Sequence, residues 1–132
     1  MMTIVRIETT GQWRPYYHKN WINAELQVLL GGKLSVLVEE PLPGLVAYCD
    51  DVGLLLKLEV NTAVNEKLWI LFNMTSKPAG IIHGPVVLSR TGLDGNECGL
   101  LPSDLVDITK CFGPCQVGGK LSTQFEEACI WM

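Results

Sequence analysis

The sequence predicts an α+β domain: a mostly antiparallel sheet of five or six strands, one main helix packed on it, and helices near the C-terminus. Three observations lead there. Between Asn20 and Glu39 the apolar period changes from 3.6 to 2 across Gly31-Gly32, so a helix feeds a strand. Short alternating runs recur on both sides of that unit, separated by turns rich in Gly, Pro and Asp. The chain of 132 residues has no repeat, low-complexity tract or linker, and it is long enough to bury one sizeable core. It reads as a single domain over residues 1–132.

Taken in order, residues 3–8 alternate Ile4 and Arg6 against Val5 and Ile7, a strand with both faces partly covered. Thr9-Thr10-Gly11 turns it, and Pro15 keeps the next stretch extended rather than helical. Asn20 suits an N-cap, Ile22, Leu26, Leu29 and Leu30 form the buried stripe of the main helix, and Gly31 supplies its left-handed stop. Trp21, Ala24 and Val28 lie on a second flank, either a further buried side or a subunit contact. Leu34, Val36 and Val38 then share one face of a strand.

The segment 39–44 is a turn with two prolines, and residues 45–49 form a third strand closed by Asp50-Asp51-Val52-Gly53. Leu54, Leu56, Leu58 and Val60 alternate as a half-buried strand. Asn61 caps a helical turn through Lys67, and the wholly apolar residues 68–72 read as a central strand or buried segment. Residues 81–88 form the last strand, where Gly84-Pro85 suggests a bulge or an edge position. Residues 91–99 are a loop. Ser103 caps a helix with Leu105, Val106 and Ile108 inward, and a final helix carries Thr123 and Glu126 at capping-box spacing, with Phe125, Ala128, Cys129 and Met132 as its stripe.

A net charge of −4 disfavours binding to a nucleic-acid duplex, which normally requires a basic face. No apolar run is long enough for a membrane span, and the N-terminus lacks a signal-peptide core, so a cytoplasmic protein is expected. Cys49, Cys98, Cys111, Cys115 and Cys129 are an odd set. Cys111 and Cys115 are spaced C-x3-C, unlike a thiol oxidoreductase, and a structural zinc would want a second close pair. No metal or cofactor is expected, and the protein should keep its melting temperature in strong chelator.

The segment 25–38, with Leu26-Gln27-x3-Gly31-Gly32 at its centre, resembles the helix-to-strand hallmark of a family of uncharacterised proteins (a domain of unknown function) common in phages and mobile elements. The likeness continues through Asp50-Asp51-x-Gly53, Asn61, residues 81–88 and the helix after Ser103, spanning residues 20–112 in pieces. Residues 62–80 are longer than usual for that family, and the tail from Cys111 has no counterpart. The resemblance implies a genetic setting and not a reaction.

No nucleotide-binding loop, dinucleotide fingerprint, zinc-protease or deaminase motif is present, so no catalytic residue is assigned and no enzyme activity is expected. One local feature stands out. Trp13, Tyr16 and Tyr17 lie beside Arg14, His18 and Lys19, ahead of the helix. Aromatic faces can stack on bases while cations meet phosphate, so these six residues are the candidate ligand site, for a nucleotide-like molecule. The other reading is a hydrophobic clamp joining the first strand to the helix. Two functions therefore stand. The first is a non-enzymatic phage or mobile-element accessory protein that binds a small ligand, sequestering a host immune signal, as a homo-oligomer. The second is an inhibitor that binds a host protein through an exposed aromatic face.

Overall fold

A computed structural model describes residues 2–19, 21, 23–50, 58–75 and 80–115. In chain order the elements are β1 (Met2–Ile7), β2 (Trp13–His18), α1 (Asn23–Leu30), β3 (Leu34–Glu39), β4 (Gly44–Asp50), α2 (Thr62–Leu71), β5 (Val86–Thr91) and α3 (Pro102–Phe112). The five strands form one antiparallel sheet in the order β2-β1-β5-β4-β3. The fold class is the one the sequence predicts, α+β.

Alternation along the strands gives the sheet two buried faces. On one, Val5, Ile7, Ala47, Val86 and Leu88 pack with Val64, Leu68 and Leu71 of α2 and Ile108 of α3. On the other, Ile4, Tyr16, Val46, Tyr48 and Val87 pack with Leu26, Leu29 and Leu30 of α1. Strand periodicity sends neighbours to opposite sides, so where both faces are covered β1 and β5 carry consecutive apolar residues, Ile4-Val5 and Val86-Val87-Leu88.

The helix–Gly-Gly–strand unit forms, but Leu34, Val36 and Val38 do not share one face: a bulge between Val36 and Val38 sets Val38 against Ala47, on the other side of the sheet. Gly31 has φ +83°, and its amide and that of Gly32 donate to the Gln27 carbonyl at 2.9 and 3.2 Å, closing α1. Arg6 of β1 reaches across to donate from Nη1 to the Leu29 carbonyl at 2.5 Å, placing a cation at the helix C-terminus. A Cβ on Gly32 would lie 2.0 Å from the Asp50 carboxylate, so close approach rather than backbone freedom fixes that glycine. Of the second flank, Trp21 is buried and donates from Nε1 to the Met2 carbonyl at 3.0 Å, whereas Ala24 and Val28 are exposed. Asn20 and Ile22 lie outside the described residues.

Asn61 ties three elements together. It is 0% exposed, its Oδ1 accepts the Val64 amide at 3.2 Å, and Nδ2 donates to the Gly84 and Ile7 carbonyls at 3.0 and 3.4 Å. One amide side chain thus caps α2 and satisfies carbonyls of the neighbouring chain segments.

Several expectations are corrected. Residues 68–72 are not a strand. The helix capped by Asn61 continues to Leu71, because Val64, Leu68 and Leu71 fall at i, i+4 and i+7 while Ile70 points to solvent. Apolar residues on the wet side disguised the period. The last strand runs Val86–Thr91 rather than 81–88, and it is central in the sheet, not an edge. Gly84 (φ +84°) and Pro85 precede it, so they mark its entry. In α3 Ser103 sits inside the helix; the cap is made by the Asp104 carboxylate accepting the Leu101 amide at 2.7 Å. Val106 is exposed, not inward. Among the described residues α1 is the shortest of three comparable helices rather than the main one. The strand expected over residues 54–60 lies mostly outside the described residues, and Val60 forms an isolated bridge with His83. The expected final helix lies outside them as well.

Candidate functional site

The six residues singled out by sequence all belong to β2 or its end. Pro15 does hold this stretch extended, and it pairs antiparallel with β1 as an edge strand. Trp13, Tyr16 and Tyr17 are 3, 5 and 8% exposed. Trp13 packs on the α2/α3 face and donates from Nε1 to the Gly113 carbonyl at 2.7 Å, whereas Tyr16 packs beneath α1. Their rings are therefore divided between two cores and do not form one stacking surface. His18 Nδ1 lies 3.5 Å from the Glu25 carboxylate and its ring is tilted on Trp21, while Lys19 is exposed and Arg14 half-buried.

A different part of the sheet carries a concave space. A cleft of about 440 Å³ is lined by Glu39, Glu40, Pro41, Leu42, Tyr48, Thr91 and Gly95. It lies where the β3–β4 turn meets the loop after β5. The strand register sets Val46 of β4 opposite Ser89 of β5, and Tyr48, which lines the cleft, lies two residues along on the same face. Glu97, from the loop, accepts the Ser89 hydroxyl at 2.5 Å through one oxygen and the Tyr48 phenol through the other. Both oxygens of a single carboxylate thus hold hydroxyls from adjacent strands. Glu40 Oε1 accepts the Leu45 amide at 2.9 Å and steadies the turn.

Burial, and then the hydrogen bond to Glu97 and the nearby charges of Glu97 and Glu39, hold the Tyr48 phenol well above its ordinary value. Tyr48 is thus a fixed proton donor. A raised folded-state value contributes stability that is complete below the unfolded value, near pH 10, and is lost as pH rises from there. Wild type should therefore lose more stability than Tyr48→Phe between about pH 9 and about pH 11. Urea melts of both proteins at each pH check this, and parallel losses would contradict it.

Burial pushes the Cys111 and Cys115 thiols up, away from the thiolate form that attacks. His83 Nδ1 lies 3.0 Å from the Leu58 carbonyl, tying two backbone segments together. Among the described residues no three His, Cys, Asp or Glu side chains gather as a metal ion would require. No helix among them is long and apolar enough to cross a membrane.

Sequence reasoning missed the cleft because its parts are dispersed: Glu39 and Glu40 at a turn, Tyr48 within a strand, Thr91 at the end of another and Gly95 in the loop after it. The only local signal was the pair of acids before two prolines, which reads first as a turn.

No curated protein and no solved structure matches the chain. A family model does, over residues 2–113, from the first residue of β1 to the residue that closes α3. The match takes in the helix–Gly-Gly–strand unit, the buried Asn61 and the whole described sheet; it starts well before residue 20 and includes Cys111, ending two residues past it. The chain belongs to the family described as Domain of unknown function (DUF3846).

Proposed function

We propose that this chain works by binding rather than turnover, as an accessory protein of a phage or other mobile element that takes up and sequesters a small ligand rich in N–H donors. The observation that supports this best is the cleft beside Tyr48. Its lining includes Glu39, Glu40 and Tyr48, whose hydroxyl is already held by Glu97. Carboxylates accept N–H donors, and such charge-assisted bonds are about twice as strong as neutral ones. Two kinds of small molecule bring the matching chemistry: a cationic amine, and the amino-bearing edge of a nucleobase. A nucleobase keeps the nucleotide-like ligand expected from sequence, recognised through its base. Withdrawal of a host signal of that kind would suit a mobile element.

The site expected from sequence has less support. The rings of Trp13, Tyr16 and Tyr17 lie in the core, and Arg14, His18 and Lys19 sit at the opposite edge of the sheet from the cleft. A host-protein inhibitor acting through an exposed aromatic face has less still, because Trp13, Tyr16, Tyr17, Trp21 and Tyr48 are all buried.

Calorimetric titration with spermidine, agmatine, guanosine, adenosine and their phosphates tests the proposal. Binding by one class is expected, and Glu39→Gln should weaken it by at least about tenfold, the loss of a charged acceptor costing roughly 1.5–3 kcal/mol. Nucleosides binding better than their phosphates would identify base recognition, and amines alone would identify a cation site. A panel without a binder, or a binder indifferent to Glu39→Gln, would remove the cleft from consideration.

A further inference from the structure

The two ligand chemistries that suit the cleft differ in one respect. A base edge sets acceptors beside its donors, whereas an aliphatic ammonium or guanidinium carries donors alone. The polar side chains of the lining are Glu39, Glu40, Tyr48 and Thr91. Carboxylates only accept. The Tyr48 hydroxyl donates to Glu97, and that of Thr91 donates to the Gly44 carbonyl at 3.4 Å, so each offers a ligand its lone pairs. Backbone donors at the lining are engaged as well: the Glu40 and Gly95 amides donate to the Leu45 and Gly92 carbonyls, and Pro41 has no N–H.

The charge of the cleft is not balanced from within. Its lining holds no lysine or arginine among the described residues. Arg90 is near enough to feel Glu40, but both its prongs are taken by Asp104. Glu40 commits Oε1 to the Leu45 amide, and Glu39 is exposed. Stacking has little to rest on, because Tyr48 is the aromatic residue of the lining and is 7% exposed. Apolar surface is supplied instead by Pro41 and by Leu42, which is 47% exposed.

We propose that the ligand is an aliphatic amine, with N–H cations on Glu39 and Glu40 and a methylene chain along Pro41 and Leu42. This rests on the reading of the cleft as a binding site and narrows it to one chemistry. A base would turn its own acceptors toward fixed acceptors, and a phosphate would meet carboxylates. An alkylammonium or alkylguanidinium meets neither conflict. Two sources carry that chemistry: a free polyamine, and the lysine side chain of a partner.

Calorimetric titration of the whole chain compares putrescine, spermidine, agmatine, Nα-acetyl-lysine methylamide, the bis-quaternary analogue of putrescine, adenosine and guanosine. An amine with N–H groups should bind at least about tenfold tighter than either nucleoside. It should also exceed the quaternary analogue by about tenfold, since that molecule keeps the charge and lacks the donors. Glu39→Gln should weaken the amine by about tenfold or more while the melt stays near wild type, because the residue is exposed. A diamine tighter than the lysine derivative would identify a free polyamine, and equal affinity a partner's side chain. Nucleosides binding where amines do not would overturn this inference and leave the cleft a binding site. A quaternary analogue as tight as putrescine would overturn it too, by showing that charge without donors suffices. A panel in which nothing binds would remove both the inference and the cleft.

Discussion

Replacing Trp13 with alanine should cost about 3–5 kcal/mol of folding stability, the range for deleting a large aromatic from a packed core. Trp13 opens β2, is 3% exposed, and packs in the cluster that contains Ile7 and Ile108. Its Nε1 donates to the Gly113 carbonyl at 2.7 Å, so one ring joins the N-terminal hairpin to the residue that ends α3. Trp13→Phe keeps most of the apolar area and forfeits that bond, for a loss nearer about 1 kcal/mol. Urea unfolding of both variants gives the difference directly. A Trp13→Ala protein within about 1 kcal/mol of wild type would mean that the ring contributes little to the core and would return β2 to the list of candidate binding surfaces.

Asp104→Ala should be comparably damaging, by about 3–5 kcal/mol, because breaking a buried ion pair strands its partner. Asp104 is 3% exposed and takes Arg90 in a two-pronged contact, Nε to Oδ2 at 2.9 Å and Nη2 to Oδ1 at 2.7 Å. The same Oδ2 accepts the Leu101 amide at the start of α3. The hydrogen bonding to Asp104 raises the Arg90 pKa, so the pair stabilises the charged guanidinium it encloses. Alanine removes the carboxylate, leaves that cation largely covered and uncaps the helix. Replacing both partners by leucine or methionine should recover most of the loss, since an apolar pair of similar volume has no charge to desolvate. Denaturant midpoints of the single and double variants measure this. Equal losses in the two would show that packing, not the stranded charge, sets the cost.

The sequence was most readable where one local rule acts alone. Gly31-Gly32 marks a helix stop and a period change, and both appear where the pattern places them. Asn61 was legible as a cap, and Pro15 as a guarantee of extended chain. What was not legible depended on partners far along the chain. The apolar residues 68–72 look strand-like because Ile70 faces water in spite of its type, and only the position of Asn61 and the spacing of Val64, Leu68 and Leu71 reveal the helix. Gly84-Pro85 suggested an edge, yet the strand begins just after it, and its central place follows from pairing with residues some eighty positions earlier. The aromatic and basic side chains of β2 looked like one surface because they are consecutive. Strand alternation sends their rings to opposite faces of the sheet, a consequence of period 2 that follows once the stretch is known to pair. The cleft was beyond reach, because Glu39, Tyr48 and Thr91 come together only through the pairing of β3, β4 and β5.

The place of β5 also shapes how the chain acquires its structure during synthesis. The β1–β2 and β3–β4 hairpins emerge from the ribosome first, and each can close over a short loop within microseconds. They cannot join, because the strand between them is Val86–Thr91, made last of the five. Val5 must then find Leu88, a long-range closure of the sort that slows folding. During that interval β1 and β4 each carry an unpaired inner edge, and a nascent chain in that state is open to pairing with the wrong neighbour. The arrival of β5 ends the exposure by converting two hairpins into one sheet.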